Sequence, residues 1–268
     1  MTTMWNASYR SRRRAGRARD PEQARFLTLD SLRWIKRNRA WTPWYLVRYY
    51  RLVKFRLTNP HVVLRGMVFL GKNVEIHATP ELARLEIGRW VHIGDGNAIR
   101  CHEGSLRIGD KVVFGCNNVV NSYLDIEIGG STLVADWCYI VDFDHVTDNI
   151  DLPIKDQGIV KGPVRIGADT WVAAKVTVLR DTIAGRGCVL GAHAVVRGKF
   201  DDYSIVVGAP ARAVKNRLTV WEAGAERRAE IERALADIER KKASADGAAG
   251  EKAADEKAPD EKAQSGDV

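Results

Sequence analysis

Cysteine is scarce, with 4 residues in 268, and Cys101, Cys116, Cys138 and Cys188 form no CxxC pair and no spacing with histidine that fits a zinc site. That excludes a disulfide scaffold and predicts small buried thiols in a reducing compartment, with no metal. Long apolar runs are missing too. The first twenty residues carry arginines with no apolar stretch behind them, so neither a signal peptide nor a membrane span is expected, and the expected location is the cytoplasm. Acidic residues are rare at one end only. Residues 1–56 hold 15 Lys/Arg against 3 Asp/Glu, residues 57–218 hold 18 of each, and residues 219–268 hold 9 against 13, so the net charge of +8 arises in the amino-terminal segment. A neutral middle argues against a nucleic-acid-binding surface on the main domain.

What the sequence does have is a repeat. An aliphatic or aromatic residue recurs every six positions in triplets: Leu64, Leu70, Ile76; Ile87, Ile93, Ile99; Ile108, Phe114, Val120; Ile128, Val134, Ile140; Ile166, Val172, Val178; Ala184, Leu190, Val196. Ile205 is expected to open a last partial turn. The residue that follows is Gly or Ala in eleven of the twelve first and second members, Arg65 being the exception, and never in a third member. Three hexapeptides therefore make one structural unit, a three-sided coil with the aliphatic residue inside and a small residue at each tight corner. Steps longer than six follow Ile76, Ile99, Val120, Ile140 and Val196, all third members, so every added loop leaves the same edge of the prism. That edge is the expected functional face. Residues four after the repeat position, such as Val91, Val112, Thr132, Cys138 and Ala194, are also compact, as a narrow interior requires.

The repeat, with "DFDH" ending at His145, "QGIVKGPVRIGADTWVAAKVTVL" from Gln157 to Leu179 and "YSIVVGAPARAVKNR" from Tyr203 to Arg217, resembles the hexapeptide-repeat acyltransferases over residues 62–217. The similarity is to the sugar and antibiotic O-acetyltransferase branch that includes the maltose and galactoside acetyltransferases. It implies an all-β left-handed parallel β-helix of about six coils. It further implies a homotrimer, acetyl-CoA as co-substrate rather than a resident cofactor, and transfer to a hydroxyl of a sugar, polysaccharide or glycolipid. Transfer from propionyl- or succinyl-CoA and a non-catalytic scaffold are the competing readings. A γ-class carbonic anhydrase shares the coil, but two of its three zinc histidines are five apart, and Ile150 stands five after His145.

The expected domains are a basic aromatic segment at 1–57, the β-helix at 58–217, a short helix at 218–243 and a disordered tail at 244–268. Within the first, residues 41–57 interleave Trp, Tyr and Leu with Arg and Lys at helical spacing, which fits a cap over the open first coil or a peripheral contact with an anionic membrane surface. In the second, the step from Ile140 to Ile166 makes the longest loop and carries His145 among Asp142, Asp144 and Asp148. Imidazole suits the removal of a hydroxyl proton near neutral pH, and the resemblance places the catalytic histidine at His145. Which aspartate, if any, orients it is left open. The resemblance carries the pantetheine contacts to Trp171, Ala174 and Ala192 and the phosphate contacts to Arg212 and Lys215, with Arg197 and Lys199 nearby. Asn117 and Asn118, with Asp142 and Asp144, are the acceptor candidates. Lys175 and His193 stand where the family more often has small residues. The remaining histidines, His61, His77, His92 and His102 among them, are expected to be ordinary loop or outward-facing residues.

Overall fold

The computed structural model describes residues 22–24, 27–225, 227–238 and 240, in two compact units that meet in sequence at Arg217 and Leu218. Residues 1–21 of the basic segment and the tail expected at 244–268 lie outside the described residues.

The first unit is a three-sided parallel β-helix. Its first face is a seven-stranded sheet running from Val63–Leu64 to Lys199–Phe200, its second an eight-stranded sheet from Val68–Leu70 to Ala211–Asn216, and its third a six-stranded sheet from Glu75–Ala78 to Val195–Val196. The chain visits the faces in turn, so each strand pairs in parallel with the strand one circuit away, as in Leu106↔Ile126 and Ile126↔Val164. All eighteen repeat residues are buried, as are Val68, Val91, Val112, Cys138, Val176, Cys188 and Ala194 among the residues four positions after them, so the interior is a stack of mostly apolar rows.

The corner rule has a steric cause. A Cβ added to Gly94 would stand 2.2 Å from the Gly115 carbonyl oxygen of the next coil, and one on Gly109 would stand 2.5 Å from the Gly130 amide nitrogen. Two residues further on, the corner turns through the left-handed region: Asn73, Trp90, Lys111, Asn117, Ser131, Trp137, Asp169, Lys175 and His193 all have φ between 51° and 62°. Lys175 and His193 thus occupy the turning position that all these corners share.

Third members of the triplets lie on the third face, so every inserted loop leaves the corner between the third and first faces. The last coil departs from the sequence reading by one residue. Val206, not Ile205, pairs with Leu190 and is buried, because the insertion after Val196 shifts the phase and a bulge at Ile205/Val206 accompanies the antiparallel closing strand.

The opposite end is closed by the amino-terminal segment. Arg65, Gly71 and Thr79 donate their amides upward to the second coil, so the carbonyls of Leu64, Leu70 and Ala78 point out of the open end. Each finds a partner: the Ala24 amide on Leu64, Arg51 Nη1 on Leu70 at 3.2 Å, and His61 Nε2 against Ala78 at 3.1 Å, while Gln23 Oε1 accepts from the Leu64 amide. An exposed edge that would pair with another chain is thereby covered. Two helices, Leu29–Arg37 and Pro43–Thr58, accompany this closure. Thr28 caps the first through Ser31, and Pro43 starts the second. Leu52 joins the core, and Trp34 and Tyr45 pack their rings on Phe69 at 5.3 and 5.7 Å.

The second unit is helical at 218–223 and 227–238, and its Ile231, Leu235 and Ile238 are about half exposed.

Candidate functional site

After Val141 the chain leaves the third face and folds a two-stranded hairpin. Phe143–His145 runs antiparallel to Ile159–Lys161, with His145 opposite Ile159, and the Gly162 amide closes its base on the Asp142 carbonyl at 2.9 Å. His145 is exposed at the end of this strand and has no side-chain hydrogen bond or ion pair among the described residues. Its ring stands edge-on to Phe143, 6.3 Å between centroids, and Phe143 meets Tyr123 at 4.6 Å, which stacks on His102 at 4.6 Å. The ring of His145 is thus the outer member of a short aromatic series along the loop corner.

The three aspartates expected around His145 do different things. Asp142 has no accessible surface, and its carboxylate accepts from Ser122 Oγ at 2.8 Å and from the amides of Tyr123, Leu124 and Asp125 at 2.7 to 2.9 Å. It ties the hairpin base to the corner of the preceding coil and has no surface open to an acceptor. Asp144 points to the other side of the strand from His145, as adjacent strand residues must. It accepts from Arg180 Nε at 2.7 Å; Arg180 also holds Asp181 at 2.6 Å, and Arg197 bridges Asp181 at 3.1 Å and Asp144 at 3.7 Å. Arg197, expected at a phosphate, is therefore engaged in this two-arginine, two-aspartate cluster. Asp148 is exposed further out in the loop.

Asn118, expected at the acceptor, faces inward. It is 1% exposed; its Oδ1 accepts from the Cys138 amide at 2.7 Å and its own amide donates to Asn97 Oδ1 at 3.1 Å, so it belongs to an asparagine ladder inside the prism. Asn117, next to it, turns the corner and keeps part of its surface.

The other candidates stand elsewhere. Trp171, 48% exposed, projects from the second face between Leu133 and Val189, and Ala174 and Ala192 stack at the corner between the second and third faces. Arg212 and Lys215 are exposed on the closing strand of the second face, and Lys199 starts the last strand of the first. In one chain the whole third face thus lies between His145 and the wall of small residues.

No family model matches the chain. A probable acetyltransferase of Mycobacterium tuberculosis is 71% identical over 244 residues, which span 91% of this chain and 81% of that protein. The chain belongs to the hexapeptide-repeat acetyltransferases. A putative lipopolysaccharide-biosynthesis O-acetyltransferase of Escherichia coli is 33% identical over 131 residues, 42% of this chain and 67% of that protein. Among solved structures, a variant of an N-acyltransferase of Bacillus cereus in complex with dTDP and coenzyme A aligns over 66% of this chain and 95% of that one, at 19% identity and a TM-score of 0.48.

The electrostatics of this acetyltransferase's faces differ. The first face carries an ion ladder, with Arg65 to Glu86 at 2.6 Å and Arg107 to Glu127 at 3.0 Å, and Arg65 as its partner holds the Glu86 carboxyl below the usual carboxylate range. The second and third faces expose Val113, Leu133, Trp171, Trp137 and Tyr139. The buried thiols are raised by desolvation, Cys101 to about 12, which makes them poor nucleophiles. Among the described residues, no group of three His, Cys, Asp or Glu side chains could hold a metal ion, and no helix is long and apolar enough to cross a membrane. Arg180, Asp181 and Asn97 were not among the sequence candidates. Asn97 and Asn118 both stand four after a repeat residue, a signal of inward placement that was there to read.

Proposed function

We propose that this acetyltransferase moves the acetyl group of acetyl-CoA to a hydroxyl of a sugar, polysaccharide or glycolipid acceptor, with His145 as general base. The observation that carries the reading is an exposed imidazole, with no side-chain hydrogen bond or ion pair among the described residues, on a braced hairpin at the corner where the loops of the prism emerge. The imidazole takes the acceptor's proton as its oxygen attacks the thioester carbonyl. The new C–O bond forms, the C–S bond breaks, and the imidazolium returns the proton to the departing thiolate. Backbone N–H donors are the groups suited to the charge that develops on the thioester oxygen.

The pantetheine arm lies along the wall made by Trp171, Ala174 and Ala192, with its phosphates toward Arg212 and Lys215 and with Lys199 as a further cation. Asn117 is the acceptor contact that stays available at the surface. Because one chain sets His145 and that wall on opposite edges of the third face, the complete site forms between neighbouring prisms of a homotrimer. The exposed apolar residues of the second and third faces, against the ion-paired first face, support burial of those surfaces between subunits. The enzyme works in the cytoplasm, in peripheral contact with the inner face of the membrane through residues 1–57. Coenzyme A release measured against a panel of sugars, oligosaccharides and glycolipid head groups, with acetyl-, propionyl- and succinyl-CoA as donors, tests the reaction. Acceptor-dependent release from acetyl-CoA supports it, and its absence across the panel overturns it.

A further inference from the structure

A helix that caps a core with one stripe should be polar beyond it, and Pro43–Thr58 is not. Tyr45, Tyr49 and Leu52 recur at i, i+4 and i+7 and pack on the first coil. Leu46, Tyr50, Val53 and Leu57 recur with the same spacing one residue on, about 100° round the helix, and are 55%, 66%, 39% and 77% exposed. Trp44, on the other flank of the packed stripe, is 51% exposed, with the Arg48 guanidinium 3.8 Å from its ring centroid. An exposed apolar stripe beside the one that meets the core calls for a second partner.

Charge selects the second partner. Residues 27–58 hold eight Lys/Arg and a single acid, Asp30. A second copy of this surface would bring like charges together within the screening distance of about 10 Å. An anionic bilayer instead offers each cation a counter-charge, accepts the aliphatic residues below its head groups, and suits Trp and Tyr at its interface. We infer that the outer stripe of Pro43–Thr58 is a docking surface for an anionic lipid bilayer, with Leu46, Tyr50, Val53 and Leu57 entering the head-group boundary and the surrounding arginines and lysines on the phosphates. The helix lies on the surface without crossing it, since none in the described chain is long and apolar enough to span. Through Leu52 and Arg51 the same helix closes the first coil, so docking fixes the prism by its closed end and leaves the loop corner three coils further on, about 14 Å away at the usual strand spacing. This narrows the peripheral contact to one helix face and is independent of the transfer chemistry.

The test is sedimentation of the full chain with vesicles of phosphatidylcholine alone and with about a third phosphatidylglycerol. The expected result is binding at least about tenfold tighter to the anionic vesicles, weakening as salt rises. Leu46→Glu/Tyr50→Glu should lower that binding at least about tenfold while coenzyme A release on a soluble acceptor stays at the parent rate. Should the double variant fail to fold, Leu57→Gln, at the most exposed position of the stripe, gives the same direction with a smaller loss. Failure of the parent to bind anionic vesicles overturns the inference, as does unchanged binding by folded variants. A fall in assembly mass on substitution, read by sedimentation equilibrium, overturns it in favour of a second copy on the stripe.

Discussion

Asp142 distinguishes a carboxylate that meets the acceptor from one that holds the hairpin. In Asp142→Ala, Ser122 Oγ and the amides of Tyr123, Leu124 and Asp125 all lose their acceptor, and the Asp142 site has no accessible surface from which water could replace it. A hydrogen bond to a charged group contributes about 1.5–3 kcal/mol, and the three amides sit on partly exposed residues, so about half of the summed value applies. The expected destabilisation is on the order of 4 kcal/mol. For a chain of this size that lowers Tm by about 8–16 °C, measured by calorimetry or circular dichroism on the parent, Asp142→Asn and Asp142→Ala. Asp142→Asn keeps the shape and one acceptor oxygen, so it should fall between the other two. Loss of turnover with Tm within about 2 °C of the parent would refute this reasoning and return Asp142 to the substrate.

Three further outcomes follow from the same structure. Gly94→Ala places a methyl 2.2 Å from the Gly115 carbonyl oxygen, where backbone on both sides cannot yield, and should cost about 2–3 kcal/mol in chemical denaturation. Arg180→Met frees Asp144 and Asp181 from their shared guanidinium; kcat should fall by about tenfold with a smaller change in acetyl-CoA KM, and Arg180→Lys should recover part of it, whereas equal losses in both variants would show that a bidentate clasp is not what matters. His92, packed 4.3 Å from Phe69, and His102 are both pushed below the ordinary imidazole value, chiefly by burial. The unfolded chain therefore binds more protons than the folded one below about pH 6.5, so stability is full above that pH and is lost as pH falls through it. Tm measured from pH 7.5 to 5.5 should decline, and less so in His92→Phe.

The period of six and the corner glycines made the prism legible because both follow directly from geometry: an inward residue once per side, and a corner too tight for a Cβ. The edge bearing the loops was legible for the same reason, since insertions can leave the coil only where the pattern tolerates them. The last coil was misplaced by one residue because the pattern is blind to phase once an insertion and a bulge coincide, as they do before Val206. Within the candidate site, the sequence put His145 in the longest loop but did not give its surroundings. Asp142 and Asp144 are chemically alike and two apart, yet one is engaged by backbone amides of the preceding coil and the other by Arg180, 36 positions later. Such assignments depend on which coil lies beneath which, and no local pattern states that. Asn118 differs: its place four after Phe114 marked it as internal, but polarity suggested the surface.

The central claim is that His145 accepts the acceptor's proton, and the most direct measurement is turnover and acetyl-CoA affinity of His145→Ala on one acceptor. The side chain is exposed and unpaired, so the fold and the donor affinity should match the parent while kcat falls about 10² to 10⁴-fold. A folded variant with unchanged acetyl-CoA affinity that keeps more than about half of the parent kcat would contradict the account and place the base elsewhere.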